Sequence, residues 1–287
     1  MIEDMVNVEW RLLELSEGNP LSQTVLDEVI TGQVAAGKSP PTIRFWRVCR
    51  PSISVGRNQD LKSDVNTVSA YDDGIDIVRR ASGGGSDFLS SDDVCYSVII
   101  PAGLLGHSSI DLDKNYRHIY EKIEKALNQL GIESWFELPC NIMAGTKKIG
   151  NMAQFTPAGV VLVHGKIRYS LPLERTLRHF ICKECPETHS LLLHRNIFAE
   201  AMTCVEEYKI PQKKLYDALK KCLLEGLKYR AGDLTDEERS LLSMKEKECN
   251  SADWVLGRNI KGLKCYGFCD EHLNGVPVIK LYPKIKV

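Results

Sequence analysis

The sequence predicts a mixed α/β fold with an antiparallel meander in its middle. Helix-period and strand-period stretches alternate along the chain, which excludes an all-α or all-β architecture. Short strand-like runs separated by glycines between residues 142 and 171 have the spacing of a meander. Residues 111–130 carry a single apolar stripe of helical period.

The elements follow in order. Ser22 is placed to cap a helix running to about Val34, with Val25, Leu26, Val29 and Ile30 on one face. Thr42–Trp46 and Ser52–Val55 are β-rich and read as two strands of one sheet, the second running into Gly56-Arg57-Asn58-Gln59. Ile75–Arg80 is a strand feeding a glycine loop, and Val94–Ile100 is another, stopped by Pro101. In the helix at 111–130, Tyr116, Ile119, Ile123, Ala126, Leu127 and Leu130 form the stripe, and Gly131 ends it.

The meander then runs through Ile142–Ala144, Lys147–Gln154, Val160–His164 and, after a break at Gly165-Lys166, Ile167–Leu171. Thr176–Phe180 and Phe198–Glu206 are short helical candidates. Pro211 opens a helix with Leu215, Leu219, Cys222, Leu223 and Leu227 inward, and Thr235 with Glu238 forms a capping box for one more. After Trp254 the pattern changes. Leu263–Val287 is rich in Gly, Pro and Lys and reads as short strands, so the expected division is a main unit at 1–257 and a short extension at 258–287.

With 43% hydrophobic and 26% charged residues in 287, the chain has the composition of a soluble globular protein. A net charge of -1 gives no bulk attraction to nucleic acid or anionic membrane. No apolar run is long enough to span a bilayer, and the acidic start Met1-Ile2-Glu3-Asp4 lacks a secretory signal's regions. A cytoplasmic protein with neither nucleic-acid nor membrane partner is expected. Its ten cysteines are then thiols rather than a disulfide framework. Cys182-Lys-Glu-Cys185, with His179 and His189 close by, invites a zinc reading, and Cys265 with Cys269 is the other pair. One CxxC is a weak signal, so no metal site is predicted. Cys95 and Cys222 lie in apolar patterns and read as core.

Three segments carry chemistry. The first is Arg79-Arg80-Ala81-Ser82-Gly83-Gly84-Gly85-Ser86. Consecutive glycines cost backbone entropy, which is repaid where the chain turns tightly or a ligand approaches the backbone. Two adjacent guanidinium groups point to an anionic ligand. The second is Gly145-Thr146-Lys147-Lys148-Ile149-Gly150-Asn151-Met152-Ala153-Gln154. In a strand, Lys147 and Lys148 point to opposite faces, so one of them faces the packed side and needs a partner. The third is Val163-His164-Gly165-Lys166. Taken singly, each has a bland reading: exposed hairpin lysines, or a satisfied core histidine.

Together they resemble the lipoate–protein ligase A and octanoyltransferase family, relatives of the biotin–protein ligases. Arg79–Gly85 matches its Arg-Arg-x-(Ser/Thr)-Gly-Gly-Gly, Lys148–Gln154 part of its Lys-(Ile/Val)-x-Gly-x-Ala-Gln, and His164-Gly165 its His-Gly. Leu26-Asp27-Glu28, Val55-Gly56 with Gln59, and Asp253-Trp254 are similar to further family segments, so the resemblance spans about residues 8–257. It implies the fold of biotin–protein ligases and class II tRNA synthetases, a mixed and largely antiparallel sheet flanked by helices. It also makes residues 1–257 a catalytic domain.

The activity implied is that of a lipoate–protein ligase. Lipoate or octanoate is activated with ATP and magnesium to the acyl-adenylate, then passed to a lysine of a lipoyl carrier domain. The carrier would be a 2-oxoacid dehydrogenase E2 or the glycine cleavage H protein, and the short tail leaves room for an accessory C-terminal subunit. By transfer, Lys148 holds the acyl carbonyl and phosphate oxygens. Arg79, Ser82, Gly83, Gly84, Gly85 and Ser86 form the substrate and nucleotide loop with Asn151. His164 and Gly165 line the acyl pocket, and Ala153 lies near the reacting centre.

The sequence departs from the family at Asp87, an acid where an apolar residue usually packs, and at Leu89 and Ser90 in place of His-Asp. By the resemblance, these changes would alter the nucleotide site. Cys140, eight residues before Lys148, supports a rival: an ATP-independent octanoyltransferase with a cysteine nucleophile. A third reading, a non-catalytic lipoate-binding homologue, matches the loss of the His-Asp pair.

Overall fold

The computed structural model describes residues 7–109, 111–181 and 199–257, with the backbone of 272–273 and 276–277. Cys182, Cys185, His189, Cys265 and Cys269, and nearly all of the expected extension at 258–287, lie outside the described residues.

The chain opens with β1 (Glu9–Gly18), α1 (Pro20–Ala35), β2 (Thr42–Val48) and β3 (Ser52–Val55). Two short helices follow, α2 (Leu61–Asp64) and α3 (Thr67–Asp72), then β4 (Asp76–Arg79), β5 (Asp87–Leu89) and β6 (Val94–Pro101). Next come α4 (Leu112–Gln129) and the meander β7 (Ser134–Glu137), β8 (Asn141–Ala144), β9 (Lys147–Phe155) and β10 (Val160–Ile167). The described chain continues with α5 (Leu173–Leu177), α6 (Gln212–Leu224), β11 (Lys228–Ala231), α7 (Asp236–Cys249) and α8 (Ala252–Leu256).

Eight strands form one sheet in the order β11-β1-β2-β6-β10-β9-β8-β7. The pairings of β1 with β11 and β2 are parallel, and every pairing from β2 to β7 is antiparallel. A second sheet of three strands, β4-β3-β5, carries the glycine loop between β4 and β5. The fold class is therefore mixed α/β, with a mostly antiparallel main sheet flanked by helices. β2 and β3, expected in one sheet, belong to different sheets: β3 pairs with β4 and β5 instead.

Strand alternation divides the core. Tyr96, Val98, Val161 and Val163 point to one face, where Ile119, Ile123 and Leu127 of α4 and Leu215 and Leu219 of α6 cover them. Ile99, Val160 and Leu162 point to the other, with Val25, Val29 and Ile30 of α1, Val255 of α8, and Ile53, Val55 and Ile77 of the small sheet. The cleft lies on this second face, where the apolar residues give way to polar ones.

Several boundaries differ from expectation for local reasons. Helix α1 is capped by Asn19, which accepts from the Leu21 amide, with Pro20 in the first turn. Ser22 instead donates to Glu246 of α7. Strand β10 runs unbroken through Gly165 and Lys166. Glycine is required at 165 because an added Cβ would sit 2.0 Å from the Asn151 carbonyl oxygen and 2.7 Å from the Tyr96 hydroxyl. The short helices fall at Leu173–Leu177 and, as a 3₁₀ turn, at Val205–Tyr208. The capping box of Thr235 and Glu238 forms as read.

Candidate active site

Two cross-strand rungs on the second face of the main sheet place the functional side chains. The antiparallel register aligns Arg44, Ser97, His164 and Ala153 across β2, β6, β10 and β9. Two residues along, it aligns Trp46, Cys95, Lys166 and Asn151. Residues two apart on a strand share a face, so both rungs look the same way. The glycine loop of the small sheet hangs over them. Between loop and rungs lies a cleft of about 700 Å³ counting its open mouth, within the size range of small-molecule sites.

The loop is tied down by the two arginines. Arg79 is 1% exposed, and its guanidinium donates to the carbonyls of Gly56, Arg57, Gln59 and Val255. Arg80 donates to the carbonyls of Ser54, Gly83 and Gly85 and to Ser82 Oγ. Both cations therefore hold backbone oxygens, and only Arg80 reaches the cleft wall. Of the three glycines, Gly84 alone needs its residue type for its backbone, at φ +89°. Its carbonyl oxygen lies 2.0 Å from where a Cβ on Gly56 would stand. Gly83 and Gly85 border open space.

A buried hydrogen-bonded chain fixes the loop to the sheet. Arg44 pairs with Asp27 Oδ1 at 2.6 Å, and Asp27 Oδ2 receives Ser97 Oγ at 2.8 Å and His164 Nδ1 at 2.7 Å. Burial opposes ionisation of Asp27, yet Arg44 and His164 hold its carboxyl below the ordinary value. An ionised Asp27 accepts from Nδ1, and Nε2 lies 2.6 Å from Ser82 Oγ, which completes the chain. The order Asp–His–Ser is that of a hydrolase triad. Ser82 is fully buried, however, and its oxygen also accepts from Arg80. It anchors the loop and does not line the cleft.

Lys148 and Cys140 also line the cleft. Cys140 lies just before β8, and its carbonyl accepts from the Met152 amide, 2.9 Å away. Lys148 enters β9 at a bulge, and its carbonyl accepts from Arg168 Nη1 at 3.0 Å. Its neighbour Lys147 turns to the other side and donates to the Ala199 carbonyl. Burial pulls the Lys148 ammonium below its ordinary value, with Asp87 acting against that. Burial pushes the Cys140 thiol up, and Lys148 and Arg80 pull it back. Cys95, also on the wall, is driven far higher by burial and the nearby Asp93.

Lys166, on the cleft wall, is 2% exposed and bonds Asp93 Oδ2 at 2.9 Å and Asp87 Oδ2 at 3.3 Å. Burial opposes its charge, and Asp87 and Asp93 more than offset that. Asp87 also accepts from Asn151 Nδ2 at 2.8 Å. A second cleft adjoins the first and shares Gly85, Ser86, Asp87 and Lys148 with it. Its three acids do not fit a magnesium site, since Asp87 and Asp93 both turn to Lys166 and Asp64 accepts from Gln59 and Ser86. Among the described residues no group of three His, Cys, Asp or Glu is placed to hold a metal ion.

The structure thus gathers Gly84, Gly85, Ser86, Cys140, Lys148, Asn151, Ala153, His164 and Gly165 at one cleft; Arg79, Ser82 and Gly83 do not line it, and the first two are buried. Sequence reasoning named Lys166 within the third segment without a role, missed Asp93 and Arg168, and assigned Asp27 no role. A lysine and a histidine on the inward phase of an otherwise apolar strand were the available signal for the first.

Residues 19–226 match the lipoyl protein ligase A/B catalytic domain. Octanoyltransferase LipM of Moorella thermoacetica is 27% identical over 284 residues, 87% of this chain and 98% of that protein. The probable lipoate-protein ligase A of Mycoplasma pneumoniae is 26% identical over 160 residues, 56% of this chain and 45% of that protein. A bi-partite lipoate protein ligase of Thermoplasma acidophilum, solved in work that also describes its E2 lipoyl domain, superposes with a TM-score of 0.76 at 20% identity, covering 87% of this chain and 96% of that one.

Proposed function

Because the chain belongs to the lipoyl protein ligase A/B catalytic domain family, we propose that it passes an octanoyl group from a carrier thioester to a lysine of a lipoyl domain, without ATP, through Cys140. The observation that carries this reading is that Cys140 and Lys148 line one cleft. Full-length similarity to an octanoyltransferase supports it.

Burial favours the neutral amine of Lys148, and that amine takes the Cys140 proton to become the ammonium. The thiolate attacks the thioester carbonyl, a C–S bond forms, and the carrier thiolate leaves with the proton that Lys148 returns. The acceptor's neutral lysine amine then attacks the Cys140 acyl thioester. An amide forms, the Cys140–acyl bond breaks, and the amine's proton passes to the departing sulfur by way of Lys148. Trp46, Leu89, Met152 and Ala153 on the cleft wall would receive the alkyl chain. The E2 domain studied with the Thermoplasma ligase suggests the acceptor class, and the bi-partite nature of that ligase is the precedent for an accessory subunit here.

The second reading is the ATP-dependent ligase, favoured by the glycine turn beside Lys148 and by the similarity to a probable lipoate-protein ligase A. One experiment separates them. A lipoyl domain with either octanoyl-carrier protein or free octanoate is mixed with the wild type and with Cys140→Ala, with and without ATP and magnesium. The proposal requires ATP-independent transfer that Cys140→Ala abolishes. Acylation from free octanoate that needs ATP, exchanges pyrophosphate and survives Cys140→Ala would establish the ligase instead.

A further inference from the structure

Asp87 is an acid at the exit of the glycine loop, the first residue of β5, on the wall shared by the two clefts. One of its oxygens, Oδ2, already receives the Asn151 amide at 2.8 Å and the Lys166 ammonium at 3.3 Å. Lys148 and Arg168 act on the same carboxylate through space. An incoming carboxylate or phosphate would need these same donors and cations, since Arg79 and Arg80 are committed to loop carbonyls. It would also meet Asp87's own charge at close range, where like charges repel strongly in a partly desolvated site.

We propose that Asp87 is a specificity residue whose carboxylate occupies the anion position of the cleft, so that the site selects an uncharged acyl thioester over a free fatty carboxylate or an acyl phosphate. A thioester brings a neutral carbonyl, which Lys148 can polarise without displacing Asp87. This deepens the transfer reading by naming the charge class of the substrate. It rests on that reading only for the identity of the alkyl chain.

The test is equilibrium binding rather than turnover. Octanamide serves as the neutral probe and octanoate, ionised at neutral pH, as the anionic one, titrated calorimetrically into the wild type, Asp87→Asn and Asp87→Ser. The wild type should bind the amide about tenfold or more tighter than the acid, the discrimination expected of one close like charge. Both variants should close that gap by raising octanoate affinity about tenfold while octanamide affinity stays within about threefold. Retained octanamide binding also shows that a variant is folded. Equal binding of the two probes to the wild type, an unchanged ratio in the variants, or binding of neither probe would overturn the proposal. The transfer reading fails separately: a wild type that prefers the amide yet moves no acyl group from a thioester leaves Asp87's role standing.

Discussion

Replacing Asp27 by alanine tests the network beneath the cleft. Asp27 and Arg44 are 2% and 1% exposed and pair at 2.6 Å. Removing the carboxylate leaves the guanidinium buried without its counter-charge and takes acceptors from Ser97 and His164. Breaking a buried pair from one side costs about 3–5 kcal/mol, about a fifth or more of the roughly 5–15 kcal/mol that holds a typical domain together. Thermal unfolding should move down by roughly 6–20 °C, and the urea midpoint should fall with its slope unchanged. Arg44→Met combined with Asp27→Leu should recover most of the loss, because no unpaired charge then remains. The pH dependence follows from the sign of the shift. Asp27's folded pKa lies below the ordinary 3.8, so its contribution is complete above that value and disappears as pH falls through the folded one. A cost for Asp27→Ala below about 1 kcal/mol, the value of a surface pair, would refute the reasoning.

Three more outcomes are expected. Gly165→Ala should destabilise by about 1–3 kcal/mol through overpacking and lower transfer activity, since β9 must move away; melting and activity close to wild type would deny the close approach. Glu238, fully buried and bidentate to Arg11 at 2.7 and 2.8 Å, should cost about 3–5 kcal/mol as Glu238→Ala. Exposed Glu237, paired with Lys38, should cost under about 1 kcal/mol on the same change, and equal melting of the two variants would contradict the contrast. Alkylation of Cys140 by iodoacetamide, followed by peptide mass spectrometry, should climb with pH past the ordinary thiol value of 9.0, because burial raises this thiol. Lys148→Ala should push the rise further up, and a rate flat from neutral pH would oppose the assignment.

Much of the fold was legible because amphipathic periodicity is a direct record of burial. The stripe of α4 and the capping box of Thr235 and Glu238 appear where the sequence places them. The signal failed at Gly165-Lys166, where a turn was expected and β10 continues. The second half of that strand faces a polar cleft, so its inward phase reads Leu162, His164, Lys166 rather than apolar throughout. Periodicity thus fades where function begins. The arginines of the loop show a different limit. Composition reveals two cations beside a turn, but not whether they face a ligand or the turn's own carbonyls, and here the carbonyls hold them. The pairing of Asp87 with Lys166 joins two strands far apart in the chain, and local pattern carries no record of it.

The most direct test of acyl transfer through Cys140 is intact-protein mass spectrometry after brief mixing with octanoyl-carrier protein, without acceptor and without ATP. The account predicts one octanoyl adduct, mapped to Cys140, released by hydroxylamine and absent from Cys140→Ala. No adduct on the wild type, or one that persists in Cys140→Ala, would contradict it.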